Sequence, residues 1–93
     1  MAAAPYLISY DLRKVRNYNQ LLNTLRDWGC ISPLESVWVG HMNGAATTIR
    51  DLLAQHMDAD DGLLVVQIQS PGQWATMQVK NNAADWFRKH VAA

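Results

Sequence analysis

The sequence predicts an α+β fold: a ferredoxin-like sandwich, in which a small antiparallel sheet carries helices on one face. Three observations point there. Segments of alternating apolar residues take turns with segments of helical apolar spacing, in the order strand, helix, strand, helix, strand. That order sets two helices on one side of a small sheet. Hydrophobic residues make up 49% of 93 residues, enough for one packed core without disulfide staples. No repeat, linker or low-complexity tract interrupts the chain, so residues 1–93 read as a single domain.

The first strand is expected over residues 5–12. Tyr6, Ile8, Tyr10 and Leu12 fall on one face, and Leu7, Ser9 and Asp11 on the other. Pro5 is tolerable at a strand start. Residues 17–29, "NYNQLLNTLRDWG", read as a helix: Tyr18, Leu21, Leu22, Leu25 and Trp28 share an apolar face opposite Asn19, Gln20, Asn23, Arg26 and Asp27. Asn17 is placed to cap its start and Gly29 to stop it. Ser32-Pro33 suggests a turn or break before an extended segment over 34–42. Residues 43–57 read as a turn and a second helix, with Ile49, Leu52, Leu53 and His56 on one face.

An acidic turn, "DADDG", then leads into the strand "LLVVQIQ" over 63–69. Gly62 is expected to close that turn with a positive φ. Leu64, Val66 and Ile68 point one way, and Leu63, Val65, Gln67 and Gln69 the other. The terminal "NNAADWFRKHVAA" reads as a helix capped by Asn81 or Asn82. A ferredoxin-like sheet needs a fourth strand. It comes either from the Cys30 region, as a hairpin with 34–42, or from residues 73–79.

Charge and cysteine content narrow the function classes. Eight Lys and Arg balance eight Asp and Glu, which argues against a surface coated for sequence-independent nucleic-acid binding but permits a local basic patch. A net charge of zero does little to oppose self-association. One cysteine, Cys30, excludes an internal disulfide framework and a cysteine-rich zinc site, and it reads as a small core residue. The N-terminus is not a secretory signal and no stretch reaches membrane-spanning length, so a cytoplasmic protein is expected.

Several stretches taken together, "ISYDL", "YNQLLNTLRDWG", "PLESVWVG", "TIRDLL", "DADDGLLVVQI" and "AADWFRKH", resemble the small bacterial proteins called SinR-like. These belong to the superfamily of the second CRISPR-associated protein and virulence-associated protein D. The resemblance runs over nearly the whole chain and implies a ferredoxin-like homodimer. In the CRISPR and virulence-associated relatives, an aspartate ending the first strand lies near the dimer axis and is associated with metal-dependent cleavage of RNA or DNA. Asp11 stands at the matching position, and Arg13, Lys14 and Arg16 match the basic residues that follow it. The last segment here reads as a helix where the CRISPR relatives carry a terminal strand.

Phosphodiester cleavage needs an activated water and a counter-charge for the transition state, and Mg²⁺ or Mn²⁺ supplies both. Such an ion takes one or two protein carboxylates, so a two-fold axis would pair two Asp11 side chains, with Arg13, Lys14 and Arg16 holding backbone phosphates. The competing reading makes Asp11 a turn and cap residue and the cations a solvated loop. The expected function is thus a small dimeric nucleic-acid-associated protein acting as a metal-dependent endonuclease, or a non-catalytic dimeric scaffold. Trp38, by parity with Ser36, joins Leu63 and Val65 on a second sheet face too apolar to stay wet, so the homodimer is expected through the sheet face.

Other motifs fail their chemistry. Counting from Asp58, Gly62 is fifth and Gln69 twelfth, which breaks the EF-hand pattern. His41, His56 and His90 lack metal-ligand spacing; only His41 is kept as a candidate acid or base. His56 reads as half-buried packing, and His90 as a cation near a helix end. Of the four tryptophans, each able to stack on a base, Trp28 reads as core.

Overall fold

The computed structural model describes residues 3–13 and 18–92. Among these the chain forms β1 (Ala4–Asp11), α1 (Asn19–Asp27), β2 (Ile31–Leu34), β3 (Val37–Met42), α2 (Ala46–Ala54), β4 (Gly62–Gln67) and α3 (Ala83–His90). The strands build one antiparallel sheet in the order β2-β3-β1-β4. β1 and β2 flank β3, and β3 and β4 flank β1, so each of the first two helices bridges strands that sandwich a third.

The fourth strand comes from the Cys30 region, and residues 73–79 form none. The turn expected at Ser32-Pro33 lies instead at Glu35-Ser36, where Ser36 takes φ 63°. Pro33 sits inside β2 because β2 is an edge strand, where a missing N–H costs no ladder bond. The Ser32 hydroxyl lies 2.7 Å from the Leu34 carbonyl and 2.8 Å from that of Val37, bracing the hairpin.

One face of the sheet and the inner faces of α1 and α2 make the core: Tyr6, Ile8, Leu21, Leu25, Trp38, Ile49 and Leu53. The helix phases match the sequence pattern, except that Leu52 remains 44% exposed. Gly29, at φ 79°, ends α1 in a Schellman motif: its N–H donates to the Arg26 carbonyl at 2.9 Å, and the Cys30 N–H to that of Leu25 at 3.0 Å. The expected cap residue Asn17 lies outside the described residues.

Three expectations are corrected. Leu63, Val65 and Trp38 belong to the helix-covered core face, since Ile8 pairs with both Trp38 and Val65 and strand neighbours share a face. The second face carries Leu7, Val37, Val39, His41, Leu64 and Val66. Nor do all helices lie on one side: α3 packs over the β2–β3 half of that second face. His90 there stacks on His41, and Val39 and Val91 are buried. Finally, neither Asn81 nor Asn82 caps α3 through its side chain. Both take left-handed conformations, which Asn tolerates, and the Asn81 amide instead donates to the Ser32 carbonyl at 2.8 Å.

Candidate functional site

β1 ends at the β4 side of the sheet, where Asp11 pairs with Gly62. This register brings the acidic turn to the end of the first strand. The Arg13 side chain folds back over it. Its Nε donates to Asp11 Oδ2 at 3.1 Å, its Nη1 to the Asp60 carbonyl at 2.9 Å, and its backbone N–H to Asp61 Oδ1 at 2.8 Å. Asp61 also accepts from the Tyr18 hydroxyl and the Asp58 N–H, both at 2.8 Å. The two segments, nearly 50 residues apart in sequence, are thus clasped by one arginine and one aspartate.

Gly62 lies beside the guanidinium. It does not adopt the positive φ expected of it; it is the first residue of β4, and a Cβ there would stand 3.0 Å from Arg13 Nη2. The exposed guanidinium could relieve that contact by shifting a few tenths of an ångström.

The Asp11 and Arg13 side chains are 71% and 58% exposed. An exposed ion pair of this kind contributes about 1 kcal/mol or less, so the clasp depends on its backbone bonds more than on charge attraction. Lys14 and Arg16, the other two cations proposed to hold phosphates, lie outside the described residues. Asp11 and Arg13 are brought together, but as partners of each other. For a divalent cation the fit within one chain is poor. The described residues hold no group of three Asp, Glu, His or Cys side chains able to bind one, and the guanidinium beside Asp11 occupies the position of a counter-cation.

A second cluster lies on the opposite face. His41 and His90 stack with ring centroids 4.6 Å apart, and Trp86 lies 4.9 Å from His90. Burial, then the His41 and Lys89 charges, push the His90 pKa below the usual histidine value. His41 also borders a cleft of about 330 Å³ with Trp28, Met42, Ile49 and Leu52. Strand parity places His41 on the second face, but nothing in its spacing announces His90 as its neighbour.

The tryptophans are engaged in packing. Trp38 is buried with its Nε1 donating to the Tyr10 hydroxyl at 3.2 Å, Trp28 abuts the core, Trp74 packs on Phe87, and Trp86 on Phe87 and His90. His56 is half-buried, 3.4 Å from the Thr24 hydroxyl. Cys30 is buried, its thiol pushed up to about 11 by burial, so it holds its proton at neutral pH. Among the described residues no helix is long and apolar enough to cross a membrane. No protein-family model and no curated protein matches the chain.

Proposed function

We propose that this chain is a ferredoxin-like domain acting as a cytoplasmic, homodimeric interaction protein, akin to the SinR-like branch it resembles. The interleaved strand order β2-β3-β1-β4 supports the ferredoxin-like assignment. One observation carries the non-catalytic reading: Arg13 donates to Asp11 and to the Asp60 carbonyl, a pairing that braces the turn before β4 and gives both groups a structural role. Dimerisation is supported by Leu64 and Val66, 56% and 43% exposed on the half of the sheet that α3 leaves open.

A second reading keeps the nucleic-acid-associated endonuclease. It is favoured by the exposure of the Asp11 carboxylate, 71%, at a strand end. There Mg²⁺ or Mn²⁺ would be shared between Asp11 residues of two copies, with Arg13, Lys14 and Arg16 toward RNA or DNA. The test is purified protein with labelled RNA and DNA, in Mg²⁺, Mn²⁺ or EDTA, beside its mass in solution. A dimer without cleavage is the expected result. Metal-dependent cleavage that Asp11→Asn abolishes would replace it with the second reading.

A further inference from the structure

The two edges of the sheet are treated differently. β2 is guarded: it contains Pro33, its register against β3 shifts between Ile31 and Leu34, and residues 80–81 cover it. The Lys80 N–H donates to the Pro33 carbonyl and the Asn81 amide to that of Ser32. These are the devices that keep an edge strand from pairing.

β4 has none of them. "GLLVVQ" holds no charge and no proline, and its register against β1 runs without a shift from Gln67 opposite Tyr6 to Gly62 opposite Asp11. The next residue, Ile68, donates its N–H to the Pro5 carbonyl, which fixes the parity of the ladder. Gly62, Leu64 and Val66 then bond toward β1, and the N–H and C=O groups of Leu63, Val65 and Gln67 point outward. Among the described residues no backbone group bonds to that outward side.

We propose that a second copy of this chain pairs with the β4 edge, antiparallel, about a two-fold axis through Val65. The inference rests on the homodimeric reading and names its interface. Outward-pointing groups at 63, 65 and 67 allow a symmetric ladder with Val65 opposite Val65 and Leu63 opposite Gln67, making about six backbone hydrogen bonds. That register sets Leu64 directly opposite Val66 of the other copy, twice. The two exposed apolar side chains of the strand thus cover each other on the open face. No charge in the strand opposes the approach. Because β2 is guarded, pairing closes at two copies instead of running on into a fibre.

The same geometry parts the two Asp11 residues. Each pairs with Gly62, three residues from the axis and one strand out, so they stand on the order of 25 Å apart by strand rise and spacing. One ion does not bridge that distance. An interface of this small size predicts association in the micromolar range.

The test combines solution mass with register-specific cross-linking. Wild type should sediment as a dimer at a few hundred micromolar. Leu64→Lys with Val66→Lys, both at exposed positions, should keep the far-ultraviolet circular dichroism of wild type and weaken dimerisation at least about 30-fold. In a Cys30→Ala background, a mixture of Leu64→Cys and Val66→Cys chains should form disulfide dimers well beyond either chain alone. A dimer that survives the double lysine variant, or cross-linking no greater in the mixture, would overturn the β4 interface and leave the homodimer standing. A wild-type monomer at these concentrations would overturn both.

Discussion

Gly40 shows how closely single residues are fitted. A Cβ at this buried position would run into the Cys30 sulfur, nearer than any real contact. Gly40→Ala should therefore cost about 1 to 3 kcal/mol, the usual range for overpacking a core. Cys30→Ala in the same chain should return much of that loss. Urea melts of the two single variants and the double variant measure the coupling, and additive losses would place the strain elsewhere. Nothing in the sequence marks this contact. The glycine is one of five, and only the Schellman motif that aims Cys30 inward and the register of β3 bring the two together.

At the scale of elements, α1 offers a plain comparison. Leu25 is fully buried and Gln20 is exposed on the same helix. Leu25→Ala should destabilise by about 2 to 5 kcal/mol, and Gln20→Ala by less than about 0.5 kcal/mol. Equal losses in urea would mean that the helix buries another face.

The docking of α3 is expected to weaken as pH falls, through His90. Its pKa is lower folded than unfolded, so the unfolded chain binds more protons as pH falls through the histidine range. The resulting loss of stability begins near the unfolded value, about 6.5, and is complete once pH passes below the lowered folded value. The groups facing the ring are His41, Trp86 and Lys89, none of them an acid that would reverse the sign. The urea midpoint should drop between about pH 7.5 and pH 5.5. His90→Gln should flatten that drop. An unchanged slope would show that His90 does not couple to folding.

For the whole molecule, the decisive comparison is melting of wild type and Asp11→Asn, each with and without Mg²⁺ or Mn²⁺. If Asp11 serves the clasp, metal raises neither melting temperature, and Asn costs less than about 1 kcal/mol because the pair it weakens is exposed. If two Asp11 carboxylates share an ion, metal stabilises wild type alone, since it binds only the assembled pair. Asp11→Asn then melts at least as high as wild type without metal, because the repulsion is gone. A metal shift that persists in the variant would locate the ion elsewhere.

Period-2 and helical apolar spacing are properties of a dozen consecutive residues, so β1, β4, the helices and the inward phase of α1 were all legible in the chain. So were the stop at Gly29, the buried Cys30 and the terminal helix. Which face of β3 and β4 meets the core was not legible. Alternation states only that two faces differ, and Leu64 and Val66 are as apolar as Leu63 and Val65. The choice falls to the pairing of Trp38 and Val65 with Ile8, a contact between distant segments. The same holds for the candidate site. Asp11 and Arg13 stand out in sequence as an acid and a cation, open to a catalytic or a turn reading, and only the β1–β4 register carries Asp60 and Asp61 to Arg13. Local sequence determines where strands and helices form because their periodicity is local. Tertiary structure decides which charges meet and which edge stays open, because those depend on neighbours that the chain brings together only by folding.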